Sequence, residues 1–94
     1  MSGERPWTEV VLKALESLGA DRRAVPIAEL YEAVRRIAPS RCDDSYLYEV
    51  EVRGKRYSEP RWRRNVRDAL VKLERRGIVV RERKGLWRLT PPQT

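Results

Sequence analysis

The residues of this sequence that are best suited to chemistry are arginines, and they are concentrated near the carboxyl end. Segment 61–94 contains eleven Lys or Arg residues and three acidic residues, whereas segment 1–60 contains ten and eleven. The net charge of +7 therefore resides in one part of the chain. Neighbouring cations can neutralise neighbouring phosphates and release their counterions, so this distribution is typical of a nucleic-acid-binding surface.

A predicted helix carries many of these arginines. Ser58 is suited to its N-cap, Pro60 to its first turn and Gly77 to its end. Apolar residues at helical spacing predict its buried face: Trp62, Val66, Ala69, Leu70 and Leu73. We expect the outer face and its flanks to enter the major groove of double-stranded DNA, with Arg64 and Asn65 contacting bases. The helix residues expected to bind DNA are Arg61, Trp62, Arg63, Arg64, Asn65 and Arg67.

A short hairpin is predicted after this helix, with strand-like segments at 78–80 and 86–89 and a turn at 83–85. Basic residues surround its tip, where we expect them to contact flanking phosphates or the minor groove. These residues are Arg81, Arg83 and Lys84.

The first half of the sequence predicts two more helices, over 7–18 and 26–38. The next stretch is longer than usual helix connections, and its alternating residues predict a small hairpin between Tyr46 and Tyr57. The predicted fold is α+β and mostly helical. It is a winged helix-turn-helix with three helices and a C-terminal two-stranded wing, and the small hairpin is an insertion before helix three. Residues 1–90 form this single domain, and 91–94 are a tail or linker stump.

The aromatic residues have two interpretations. Trp7, Trp62 and Trp87 all fall at core positions of a chain that has no phenylalanine, which favours packing. Aromatic rings also hold modified or flipped bases, and Trp62 lies near Tyr57 at the start of the third helix. These two residues are therefore candidates for contacting a modified base.

The composition argues against catalysis. The chain has no histidine and one cysteine, so it lacks a Ser/His or Cys/His pair, a disulfide and a finger-type zinc site. A magnesium site of a nuclease could be built from four acidic residues: Asp43, Asp44, Glu49 and Glu51. However, no lysine stands at the neighbouring position that such a nuclease needs. We expect no enzyme activity, no metal and no cofactor. With no apolar run of membrane-spanning length and no signal peptide, we expect a cytoplasmic protein without membrane contact.

Several short motifs resemble a known family. They are Tyr57 to Trp62, Val66-Arg67, Ala69-Leu70, Leu73, Gly77-Ile78 and Gly85 to Thr90. Together they look like the winged helix modules attached to modification-dependent restriction endonucleases. Pro6-Trp7-Thr8 and Glu29-Leu30-Tyr31 are similar to the opening of the DNA-reading module in methyladenine-dependent members. The resemblance implies sequence- or methylation-sensitive binding of double-stranded DNA by the third helix, with cleavage by a fused or associated nuclease domain.

Two other functions fit the same residues. A winged helix can bind an acidic protein through its basic face, and it would then not bind DNA at physiological salt. A small transcription regulator of the winged helix type would act as a dimer on palindromic sites, which requires a self-complementary surface. The sequence contains no zipper or long extra helix for such a dimer, and its residues do not specify a base sequence.

Overall fold

The computed structural model describes residues 5–90 and shows an α+β fold with three helices and five strands in two antiparallel sheets. The elements are α1 Trp7–Ser17, β1 Val25–Pro26, α2 Ile27–Ile37, β2 Leu47–Val52, β3 Lys55–Pro60, α3 Arg61–Arg75, β4 Val79–Arg83 and β5 Leu86–Leu89. A 3₁₀ turn at Pro39–Arg41 follows α2. The α+β class is confirmed, and the predicted tail at 91–94 lies outside the described residues.

The C-terminal hairpin, formed by β4 and β5, belongs to a three-stranded sheet, so the prediction of a two-stranded sheet was wrong. Strand β1 joins it at the edge of β5, where Val25 pairs with Trp87 and Pro26 with Leu86. The Ile27 N–H also donates to the Gly85 carbonyl at 2.9 Å. A strand of two residues is too short to show an alternating pattern, which is why periodicity missed it.

The insertion hairpin, formed by β2 and β3, is present and longer than predicted. Its two-residue turn has positive φ at both Arg53 and Gly54, the geometry that suits the twist of paired strands. The strand β3 continues to Pro60 and runs directly into α3. The Arg61 N–H donates to the Tyr46 carbonyl at 2.9 Å and fixes this junction.

The extended pairing changes the predicted helix starts. Ser58 is not the N-cap of α3, because it pairs with Glu49 within the hairpin. Pro60 occupies the N-cap, and no side chain caps the helix there. Likewise Pro26 is the N-cap of α2 and not part of its first turn. In both places the preceding strand holds the backbone extended up to the proline, and the helix begins one residue later.

The three helices enclose one core, to which β1, β4 and β5 contribute. The predicted inner face of α3 is confirmed, since all five of its apolar residues are buried. Trp62 and Trp87 are buried, and Trp7 packs against the core from its edge. Ile37, the last residue of α2, is 42% exposed. No helix within residues 5–90 has the length and apolarity needed to cross a membrane.

Candidate nucleic-acid interface

The base of the insertion hairpin packs against the N-terminal half of α3. Tyr48 and Glu59 are cross-strand partners, so their side chains project from the same face of the hairpin. The Arg64 guanidinium lies 4.5 Å from the centre of the Tyr48 ring, and Arg67 forms an ion pair with Glu59. The surface predicted to enter DNA is therefore shared between a helix and a hairpin.

Arg61 and Arg64 lie over aromatic rings of the insertion. The Arg61 guanidinium carbon is 5.8 Å from the centre of the Tyr46 ring and 5.7 Å from that of Tyr48. A guanidinium packed over a ring keeps N–H groups at its edge that can donate to other acceptors. Arg64 also lies 3.7 Å from Asp68 in an exposed pair, which is weak in water. Both arginines are thus positioned by stacking while they retain donors.

Arg67 is engaged inside the protein. Its Nη1 donates to the Tyr31 hydroxyl at 3.2 Å and to Glu59 Oε2 at 3.0 Å, and its Nη2 donates to the other Glu59 oxygen. The hydrogen bonds that Arg67 donates to Glu59 raise the pKa of Arg67 above its usual value, and partial burial opposes this effect. The sequence predicts Arg67 among the DNA-binding residues on the outer side of α3, but the hairpin brings Glu59 to this side. Arg67 joins α2, α3 and the hairpin.

Trp62 is 3% exposed, and its surroundings are specific. Its indole Nε1 donates to Asp44 Oδ1 at 2.9 Å, and its ring meets that of Tyr31 edge to face at 5.7 Å. Asp44 also accepts two hydrogen bonds from Arg35, at 2.9 and 2.8 Å. The indole hydrogen bond, followed by Arg35, lowers the pKa of Asp44. This burial agrees with the interpretation that Trp62 packs in the core.

Tyr57, the other candidate for a modified base, lies apart from this cluster. It is in β3, 53% exposed, and pairs with Val50 of β2. Its side chain therefore shares the hairpin face of Tyr48. Tyr57 is accessible to a ligand, whereas Trp62 is covered by protein.

Arg63 lies on the other flank of α3, above α2. Its guanidinium is 5.2 Å from the centre of the Tyr31 ring and 5.6 Å from that of Trp62. Its Nε is buried and has no hydrogen-bond partner within the described part of the chain. An open groove of about 590 Å³ separates α2 and α3 here, and Arg35, Arg36 and Arg63 line it.

Asn65 faces the segment that leads into the insertion hairpin. It is half-buried and lines a small cavity of about 200 Å³ together with Asp43, Tyr46 and Arg61. Arg61 and Asn65 are four residues apart on α3 and therefore lie on the same side of the helix. The structure thus brings Arg61, Arg64 and Asn65 together at the start of α3.

The three predicted cations of the C-terminal hairpin are all exposed: Arg81, Arg83 and Lys84. Arg81 lies 5.9 Å from the centre of the Trp87 ring. Between residues 5 and 90, neither Arg83 nor Lys84 forms an ion pair. Their charges are therefore available to an anionic ligand.

Sequence reasoning missed the residues that organise the site. The alternating pattern that contains Tyr46 and Tyr48 predicts a strand first of all, and it leaves their rings ambiguous between packing and base contact. Glu59 carried no signal, because its partners Arg67 and Tyr31 are brought to it only by the packing of α2, α3 and the hairpin. The cations at the insertion tip, Arg53 and Lys55, were also not assigned a role.

No protein-family model, curated protein or solved structure matches the chain. Within residues 5–90 no group of three or more Cys, Asp or Glu side chains is arranged to hold a metal ion.

Proposed function

We propose that this chain is a double-stranded DNA-binding module of the winged helix type, with the N-terminal half of α3 as its reading element. One observation carries the proposal: Arg61, Arg64 and Asn65 are adjacent there, and stacking positions both arginines. Arginine pairs with guanine and asparagine with adenine in the major groove. Prepositioned side chains lose less conformational entropy on binding.

The topology supports this fold assignment. The order of elements is helix, strand, helix, insertion hairpin, helix and C-terminal hairpin, and the short strand β1 completes the sheet of the C-terminal hairpin. A helix-turn-helix with such a sheet beside its third helix can place the helix in one groove and the hairpin over a neighbouring strand of DNA. In this arrangement the C-terminal hairpin is the wing.

The exposure and contacts of the side chains indicate which residues would bind phosphates and which would contact bases. Arg83 and Lys84 at the wing tip are free to neutralise phosphates, which gives affinity without sequence preference. Arg64 and Asn65 would supply the contacts that distinguish bases. Arg67 is left out of the interface, because its two terminal nitrogens already bind Glu59 and Tyr31.

The sharper form of the proposal is that the module distinguishes methylated from unmodified duplexes, within a restriction or defence system. Tyr57 supports it, because its ring is 53% exposed on the hairpin face that adjoins α3. Trp62 would contribute indirectly, by packing beneath Arg63 and Tyr31.

A binding titration at physiological salt tests both forms. The probes are one duplex unmodified, adenine-methylated or cytosine-methylated, and a single-stranded control, since salt sets the meaning of any affinity. Tighter binding to one methylated duplex supports a modification reader, and equal binding to all duplexes supports a general or sequence-specific DNA binder. Absence of duplex binding contradicts the proposal.

A second candidate function has a specific observation in its favour. The insertion hairpin exposes apolar side chains, with Leu47 at 55%, Val52 at 48% and Tyr57 at 53%. Exposed apolar residues beside a basic surface also suit an acidic protein partner. This function predicts that the duplexes do not bind in the same titration.

A further inference from the structure

The insertion hairpin is attached to the domain at one end only. Tyr48 and Glu59, near its base, contact α3, whereas the residues toward the turn are mostly exposed. A two-stranded hairpin is marginally stable by itself in water. With six residues in each strand it extends roughly 20 Å, at about 3.3 Å per residue. Most of the hairpin therefore lies outside the core.

Charge is distributed unevenly along this hairpin. Residues 52–56 at its tip contain three cations and no acid. Those cations are Arg53, Lys55 and Arg56, and none of them forms an ion pair within residues 5–90. The tip is thus a compact positive end, and an anion is the complementary partner.

The two faces of the hairpin also differ. Lys55 pairs with Val52, which places its side chain on the face that carries Tyr48 and rests on α3. On that face the only acid is Glu59, which is already paired with Arg67. The unpaired acids Glu49 and Glu51 project from the opposite face, where Arg56 is the cross-strand partner of Glu51. The face that adjoins α3 is therefore the one suited to a polyanion.

We propose that the insertion hairpin is a second DNA-contacting arm, in which Arg53 and Lys55 bind phosphates of the duplex beside the segment read by α3. The inference rests on the proposed DNA-binding function and adds a surface to it. The major groove of DNA admits a two-stranded ribbon as well as a helix, and phosphate contacts fix the register of a protein on the duplex. Because Tyr48 and Glu59 hold the hairpin base on α3, the arm and the helix approach the DNA together.

The test compares two double variants of the full chain. In the tip variant, Arg53→Asn and Lys55→Gln remove both cations, and asparagine suits the positive φ at position 53. In the control variant, Lys13→Gln and Arg22→Gln remove two exposed cations from α1 and the turn after it. Affinity for an unmodified duplex is measured at several salt concentrations, and thermal unfolding checks that both variants fold.

The tip variant is expected to bind more weakly and to reduce the slope of log K against log salt by about two units relative to wild type. The control variant, which has the same net charge, should keep the wild-type slope. Equal slopes for tip variant, control and wild type would overturn the second arm while wild-type binding still supports the DNA-binding function. A tip variant that binds normally but loses self-association in size-exclusion chromatography would assign the hairpin to a second copy instead. Failure of wild type to bind any duplex would overturn the parent function together with this inference.

Discussion

Arg64 is a single side chain that an aromatic ring holds in position. It lies on the Tyr48 ring, so its guanidinium is held in place while edge N–H groups remain available. Arg64→Ala is expected to weaken binding to the preferred duplex by about 1–3 kcal/mol and to reduce discrimination between duplexes that differ at one base pair. Competition titrations with such duplexes measure both effects.

Variants of Tyr48 test whether its ring acts by positioning the Arg64 side chain. Tyr48→Phe keeps the ring under Arg64 and should preserve discrimination, whereas Tyr48→Ala should lose part of it. Arg75→Ala, an exposed arginine in the last turn of α3, is the matched control and should leave discrimination unchanged. If Arg75→Ala lowered discrimination as much as Arg64→Ala, the reading site would not lie at the start of the helix.

The lowered pKa of Asp44 makes the stability of the fold depend on pH. Its pKa is lowered in the folded protein, first by the hydrogen bond from Trp62 and then by Arg35. A carboxyl group with a lowered folded-state pKa stabilises the fold above its unfolded pKa of about 3.9, and this stabilisation is lost as pH falls through the folded value. Asp44→Asn should therefore have a lower melting temperature than wild type at pH 6, and the difference should shrink toward pH 3.

Circular dichroism melts between pH 3 and pH 6 measure this dependence. Trp62→Phe removes the hydrogen bond that lowers the pKa of Asp44 most, and it should also show a weaker loss of stability on acidification. A constant difference in melting temperature between wild type and Asp44→Asn over the whole range would contradict this role of Asp44. The periodicity predicted the burial of Trp62 correctly, but it contained no information about Asp44, which lies 18 residues earlier.

At the scale of elements, Arg67 joins the insertion hairpin to the helices. Removing it leaves Glu59 and Tyr31 without their partner, so Arg67→Ala should lower the free energy of unfolding by about 1–2 kcal/mol, a figure reduced for partial exposure. Urea titration measures that loss, and Arg75→Ala should stay within about 0.5 kcal/mol of wild type. Hydrogen exchange should also show faster exchange in β2 and β3. Unchanged exchange there would show that Arg67 does not hold the hairpin.

The elements differ in how far the sequence specified them. The buried face of α3 and the turn at Arg53-Gly54 follow from local rules, because helical spacing and a positive-φ turn depend on neighbouring residues. The ends of β3 and the strand β1 do not, since their hydrogen bonds come from partners elsewhere in the chain. Serine is a residue type that commonly caps helix N-termini, yet cross-strand pairing places Ser58 inside β3. Tertiary pairing decided these boundaries.

The same distinction applies to the candidate site. Charge density located it on α3 and the C-terminal hairpin, because composition is visible without structure. Which arginines are free was not visible: Arg67 is paired internally, whereas Arg61 and Arg64 are stacked with donors remaining. The contacts of these arginines depend on the insertion hairpin. The sequence predicted that this hairpin exists, but it did not predict that the hairpin packs over α3.

At the scale of the whole molecule, the uneven charge predicts a division between affinity and selectivity. Arg83→Gln with Lys84→Gln removes two exposed cations at the tip of the C-terminal hairpin, the proposed wing, far in sequence from Arg64 and Asn65. If they contact phosphates, the slope of log K against log salt should fall by about two units, by the same amount for every duplex. Arg64→Ala should instead change the ranking of duplexes. Salt titrations of both variants on two duplexes of different sequence distinguish these effects, and a wing variant that altered the ranking would place base recognition in the wing.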